Sequence, residues 1–277
     1  LNWEVTRTFI SEMPSTRSML STGRHLFWSN SETVERRDLQ YGVHERQKID
    51  IYEPVDVHDQ TETILFIHGG GWETGSKDIH KFIGRTWARH NFIAALTNYR
   101  LAPEYTYPDQ MGDIAAALSW IQDNYDNFTG SLYLAGHSAG AHLASLAGFS
   151  DKWRKQAKLK VERILGFILL SGVYQFYPFD KADPRVRRFL GQKSYWEEAQ
   201  PFNHLKESCP PVFLAHGRED GEVFPKQSIQ LSEKLTEMGV KNDLLLMKGA
   251  GHMELLLDTT RGDSKFWSSV EDFFGIR

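Results

Sequence analysis

One cysteine, Cys209, stands among 277 residues. No disulfide can therefore close within the chain, and a metal site built on paired thiolates is excluded. That usage fits a reducing compartment, and the cytoplasm is the expected location. No apolar run approaches the roughly 18 residues of a membrane span, so no membrane partner is expected. The opening Leu1-Asn2-Trp3-Glu4-Val5-Thr6-Arg7 lacks the basic start and apolar core of a secretory signal. Because the chain begins at Leu1 rather than Met, prior removal of a leader stays open. A concentrated basic stripe is missing too: the net charge is -4, which gives nucleic acid no electrostatic purchase. Although the chain has 11 histidines, neither HExxH nor any other metal-ligand spacing occurs. No Pro/Gly/Ser-rich linker, low-complexity segment or fixed-period repeat divides the sequence, so residues 1–277 are expected to form one domain.

What is present is an alternation. Short apolar runs suited to strands recur at 48–52, 63–67, 92–97, 131–135, 165–170, 212–215 and 243–247. Between them, segments 78–89, 108–124, 139–149, 225–238 and 264–274 space apolar residues three and four apart, as helices do. Pro108 and Pro225 suit first helical turns, and Gly239 suits a left-handed C-terminal cap. Strands alternating with helices predict an α/β fold: a mostly parallel, doubly wound sheet covered on both faces, with ligand-binding loops at the carboxyl ends of the strands. Residues 1–36 and 173–205 fit neither pattern and are expected to form a small cap or lid.

The chemistry centres on Gly136-His137-Ser138-Ala139-Gly140. This segment follows an apolar run and precedes a stretch of small residues. A strand reversing abruptly into a helix would hold Ser138 in a strained conformation with its hydroxyl exposed, and the helix's first amides would face developing negative charge. A serine hydroxyl needs a base, and the base needs an orienting acid. Downstream, Asp220 follows the run at 212–215 and His252 follows the run at 243–247, each in a Gly-containing turn. Glu219 is the rival acid. Asp220 is preferred because a glycine turn, two residues and then a carboxylate is the usual presentation. Upstream, His68-Gly69-Gly70-Gly71-Trp72 leaves backbone amides bare. Gly70 and Gly71, with Ala139, are the expected oxyanion donors. A phosphate loop is the competitor, but the Lys-Ser/Thr ending is absent after Gly71.

These elements carry a resemblance. HGGGW at 68–72, Tyr99-Arg100-Leu101-Ala102-Pro103-Glu104 and GHSAG, in the chain order Ser138, Asp220, His252, resemble the hormone-sensitive-lipase-like branch of the α/β-hydrolase superfamily. Gly75-Ser76-Lys77-Asp78, Ile49-Asp50-Ile51-Tyr52 and the residues around Ser138 resemble, more narrowly, small carboxylesterases and the kynurenine formamidase (arylformamidase) group. The likeness spans residues 40–275 as an order of elements. It implies an eight-stranded, mostly parallel α/β-hydrolase sheet, acyl-serine chemistry, no metal and no organic cofactor.

Small carboxylic esters are the first expected substrates, because an ester needs less leaving-group protonation than an amide. N-formylkynurenine-type formamides are the alternative, with Trp72, Phe176, Tyr177 and Phe179 available for an aromatic pocket. A hydrolase-fold protein that binds ligand without cutting it is a third reading, and the presence of His252 speaks against it. A homodimer is left open. Other residues tempt less. His68 is expected to brace the glycine loop, and His137 and His142 to serve packing or buried hydrogen bonds. Arg261-Gly262-Asp263 reads as an exposed turn.

Overall fold

The computed structural model describes residues 33–58, 61–176, 183–262 and 264–276. Among them, eight strands form one sheet in the order β1-β2-β4-β3-β5-β6-β7-β8. They are β1 Thr33–Gln40, β2 Lys48–Pro54, β3 Glu62–Ile67, β4 Phe92–Thr97, β5 Leu132–His137, β6 Ile164–Leu170, β7 Val212–Gly217 and β8 Asn242–Met247. Only β2 runs against its neighbours; every pairing from β4 to β8 is parallel. The interior strands read as continuous apolar runs because both of their faces are covered. In β3 the two-residue period sends Ile64 and Phe66 to one core and Leu65 and Ile67 to the other.

The first core receives helices α1 (Lys81–Arg89), α7 (His252–Asp258) and α8 (Lys265–Phe274), through Trp87, Leu255 and Trp267 among others. The second receives α2 (Asp109–Asn124), α3 (Ala139–Phe149), α4 (Asp151–Gln156), α5 (Pro184–Leu190) and α6 (Lys226–Glu237). Pro108 and Pro225 immediately precede α2 and α6. α3 is buried along its whole length, which explains its run of Ala, Gly and Leu: it is enclosed on all sides and has no solvent stripe to keep polar.

Residues 33–36 require a correction. They are not cap material but the start of β1, an edge strand paired antiparallel with β2. Its sequence, TVERRDLQ, is mostly polar because an edge strand keeps one side in water, and its charges discourage pairing with other chains. The expected cap at 1–32 lies outside the described residues. Within 173–205, residues 177–182 also lie outside them, and the remainder forms a loop, α5 and short 3-10 turns.

The two upstream motifs meet at one buried ion pair. Lys77, fully buried, places its Nζ 2.8 Å from Asp50 of β2, itself fully buried, and 2.7 Å from Asp38 of β1. Burial alone would lower the Lys77 amine, but the hydrogen bonds it donates to Asp38 and Asp50 outweigh that and raise it. Arg37 adds a 3.2 Å contact to Asp50. IDIY and GSKD therefore co-occur because they pin the edge strands to the segment entering α1.

Candidate active site

The site forms at the carboxyl ends of β3, β5, β6, β7 and β8. At the end of β5 the chain turns through Ser138 with φ 55° and ψ -122°, a region that costs a non-glycine residue about 1–3 kcal/mol and persists only where surrounding structure imposes it. The Ser138 amide donates to Leu170 O at 2.9 Å, continuing the β5-β6 ladder through the turn. Gly140 sits where α3 crosses β3. A Cβ there would lie 2.6 Å from His68 O and closer still to Ile67 O. Only glycine allows this approach, which sets the elbow beside the HGGG loop.

That loop turns through positive φ at Gly70 (117°), Gly71 (57°) and Trp72 (63°). Among the described residues, the amides of Gly70, Gly71 and Ala139 donate to no protein acceptor. Three braces hold the loop. His68 donates from Nδ1 to Gly69 O at 2.7 Å and stacks on Tyr99, whose hydroxyl donates to His68 O at 3.1 Å. Thr74 Oγ1 donates to Gly70 O at 3.0 Å. The carbonyl of Trp72 accepts from Ala102 N at 2.9 Å and Gln110 Nε2 at 3.0 Å. The 99–104 motif thus acts from behind, with Arg100 gripping Asp113 at 2.8 Å.

Asp220 and His252 converge. His252 Nδ1 donates to Asp220 Oδ2 at 2.7 Å; Glu219 is exposed, and its amide serves Ala250 O instead. Asp220 Oδ1 accepts from the amides of Glu222 and Val223 at 3.0 and 2.9 Å. Burial by itself would raise the Asp220 carboxyl. Hydrogen bonds from His216 and His252, the His252 charge and the Val223 amide outweigh it and hold the carboxyl well below the usual carboxylate range. His252 opens α7 and is tied to the elbow by His137, whose Nε2 donates to His252 O at 3.1 Å. Burial, and after it the neighbouring His252, pushes the His137 imidazole well below its usual range.

A cavity of about 530 Å³ opens over Ser138. Gly71, Trp72 and Ala139 line it on the elbow side; Val173, Gln175 and Phe176 come from the loop after β6; Asp183, Arg185 and Val186 come from α5 and its cap. Residues 222–224 and the first turns of α6 complete the rim, where Phe224 is 70% exposed. Gly70 and His252 are not among the lining residues. Trp72 and Phe176 do line the cavity and meet edge to face, 6.0 Å apart; Tyr177 and Phe179 lie outside the described residues.

Behind Trp72, His142 Nε2 donates to Ala199 O at 2.8 Å, which leaves Nδ1 to accept the Trp72 indole N–H at 3.2 Å. Burial holds His142 neutral, lowering it to about 3. Among the described residues, no cluster of three or more His, Cys, Asp or Glu could hold a metal, and no helix is long and apolar enough to cross a membrane.

A family profile described as BD-FAE matches residues 49–235. The chain belongs to the BD-FAE family. Relatives of this BD-FAE chain include a probable isoprenylcysteine alpha-carbonyl methylesterase of Arabidopsis thaliana, 29% identical over 86% of this chain and 61% of its own length. Esterase LipC of Mycobacterium tuberculosis is 27% identical over 82% and 62%, and kynurenine formamidase of Drosophila melanogaster is 27% identical over 90% and 85%. The chain thus spans about three fifths of the length of the first two. Among solved structures, esterase B from Lactobacillus Rhamnosis superposes with a TM-score of 0.76 at 18% identity, over 98% of this chain and 94% of that one. A truncated carbohydrate esterase from gut microbiota gives 0.76 at 19%, over 89% and 97%. The fold of this BD-FAE protein is the α/β-hydrolase fold expected from its motifs.

Sequence reasoning passed over Arg185, Phe224 and His216. Phe224 follows the loop after β7, so the rule that ligands gather at strand carboxyl ends could have found it. His216 stands four residues before Asp220, in a turn whose glycine and carboxylate drew the attention. Arg185 reaches the cavity through α5, a helix too short for its apolar period to stand out.

Proposed function

We propose that this protein is a serine hydrolase that cleaves small carboxylic esters through an acyl-serine intermediate. The observation that carries this reading is the pairing of a strained Ser138, open to a cavity, with a His252–Asp220 hydrogen bond of 2.7 Å after β7 and β8, at the same carboxyl end of the sheet. His252 takes the Ser138 hydroxyl proton as Oγ bonds to the substrate carbonyl carbon, and Asp220 stabilises the imidazolium that forms. The carbonyl oxygen, now an anion, takes the amides of Ala139, Gly71 and Gly70, which have no protein acceptor among the described residues. As the tetrahedral species collapses, the bond to the leaving oxygen breaks and His252 protonates the departing alcohol. A water, deprotonated by His252, then attacks the acyl-serine; the acid leaves and Ser138 regains its proton. The esterases among the relatives support ester substrates.

Formamide hydrolysis is the second reading. It is favoured by the relative named kynurenine formamidase, which is matched over most of both chains, and by the Trp72–Phe176 wall, which suits an arylamine. Two measurements test the pair. A fluorophosphonate should label Ser138 in the native chain and not in S138A. The kcat/KM for p-nitrophenyl acetate should exceed that for N-formylkynurenine; a large advantage for the formamide reverses the order. Absence of both labelling and turnover would leave a ligand-binding protein without catalysis.

A further inference from the structure

Asp220 is shared by two histidines. Its Oδ2 accepts from His252 Nδ1 at 2.7 Å and lies 3.2 Å from His216 Nε2. His216 is completely buried at the end of β7. The same Nε2 lies 2.8 Å from Val223 O, and Nδ1 lies 2.7 Å from Ser228 Oγ on α6. A carbonyl oxygen can only accept, so Nε2 carries the hydrogen and donates it to Val223 O, with Asp220 Oδ2 3.2 Å from the same nitrogen. A buried histidine is ordinarily a satisfied core residue. Here the ring spends its hydrogen bonds on the segment that carries the acid, on Val223 three residues on and Ser228 at the start of the next helix, and sets its Nε2 beside Asp220 itself. Val223 is tied twice, since its amide also donates to Asp220 Oδ1 at 2.9 Å.

From this geometry we infer that His216 is a positioning residue for Asp220 and limits how strongly that carboxylate holds the proton of His252. The inference rests on the proposed Ser138–His252–Asp220 chemistry. With the His216 Nε2–H group 3.2 Å from Oδ2 beside the His252 donor, part of the carboxylate's negative charge is balanced from the His216 side and less of it is directed at the His252 Nδ1–H. Removing the His216 donor concentrates that charge on His252 and favours the imidazolium, which cannot accept the Ser138 proton. The active form then appears only at higher pH. Among the described residues, His137 of β5 packs its ring against His252, Glu254 stands on the same helix, and Arg218, Glu219 and Glu222 share the loop after β7 with Asp220. None changes in the variants below, so a difference between variants reports the His216 contact.

The test uses H216F, which keeps a planar ring and removes both ring nitrogens, and H216Q, whose amide N–H can stand near the Nε2 position. In H216F the acid limb of kcat/KM for p-nitrophenyl acetate should move up by about half to one pH unit. Its kcat should fall on the order of tenfold with KM little changed, as Asp220 loses its orientation. H216Q should return the limb to its wild-type position, which a purely space-filling role for the ring would not produce. In parallel, the His252 Cε1–H resonance, assigned with H252Q, should titrate at correspondingly higher pH in H216F. S228A leaves the core filled and should shift limb and resonance in the same direction by less, which keeps the idea testable if H216F does not fold. Folded H216F or S228A with a wild-type limb and titration overturns the inference, as does H216Q shifting like H216F. Titration shifts without ester turnover in the wild type would support the coupling and sink the hydrolase reading; turnover without shifts would do the reverse.

Discussion

Gly140 is the residue on which the relation between the proposed nucleophile and the proposed oxyanion donors depends, and replacing it with alanine tests that relation. The added methyl would sit 2.6 Å from His68 O, against backbone that no rotamer change can move. Ordinary contact begins near 3.4 Å, so α3 and the end of β3 must separate by at least about 0.8 Å. The clash with Ile67 O demands more. Ala139 is the first residue of α3, and Gly70 and Gly71 hang from the end of β3. The separation therefore falls between the very amides that must meet one oxygen. A displacement near 1 Å costs about 100-fold in rate, and loss of one oxyanion donor costs about 100- to 1,000-fold. Overpacking should also lower stability by about 1–3 kcal/mol. G140A should thus show kcat for p-nitrophenyl acetate down by about two orders of magnitude with KM nearly unchanged, because the donors act on charge that exists only in the transition state. Its Tm should drop by several degrees. G221A is the control: a Cβ there meets nothing within 4 Å. If G140A kept kcat within about twofold of wild type and lost no thermal stability, the close crossing of α3 over β3 would not be what aligns the donors.

Three further outcomes are expected. D220N leaves shape intact but turns an acceptor toward His252 into an amide. The favoured imidazole tautomer is lost, and kcat should fall on the order of 1,000- to 10,000-fold, by analogy with the trypsin triad; a loss under tenfold, read in the same ester assay, would point to another acid. K77M removes the Lys77 partner of the buried Asp50 and leaves it the longer Arg37 contact, and should destabilise by up to about 3 kcal/mol in urea unfolding, since a buried pair loses one of its partners; because the pair lies away from Ser138, kcat of the folded fraction should be retained. The third concerns acid. His68, His137 and His142 are held neutral by burial, with native values below the usual 6.5 and that of His142 lowered to about 3. The unfolded chain takes up these protons as pH falls through about 6.5 and the native chain does not, so stability is lost on acidification at about 1.4 kcal/mol per pH unit per histidine. Unfolding midpoints measured from pH 7.5 to 5 should fall steeply, with uptake of at least about three protons per molecule unfolding near pH 5, since burial lowers His80 and His90 as well. Asp220, lowered in the native state, contributes stability that is present above the unfolded carboxylate range and is lost only below it. A flat profile to pH 5 would contradict the buried neutral histidines.

How much was legible in the residues varies with the kind of feature. Strands β3 to β7 announce themselves because a buried strand needs an unbroken apolar run, and β2 and β8 by shorter apolar stretches, whereas β1 does not, since an edge strand with one side in water can be written in Glu, Arg and Asp. The three sharpest conformational demands, positive φ at Gly70 and Gly71 and the close crossing at Gly140, are local, so they leave a mark that can be read from the glycines alone. Chain order suggested Ser138, Asp220 and His252 for the same reason: each ends a strand in a turn of recognisable composition.

What the tertiary structure alone decided is everything that depends on which strand lies beside which. Adjacent β7 and β8 set His252 against Asp220 rather than Glu219. The approach of α5 to the glycine loop brings Arg185 to the cavity, and His216 meets the carboxylate four residues away only because the loop after β7 folds back over the strand end. Propensity and turn chemistry act over a few residues and are written in sequence. Partners for a buried charge or ring nitrogen are chosen by packing across the sheet, where distance along the chain carries no information.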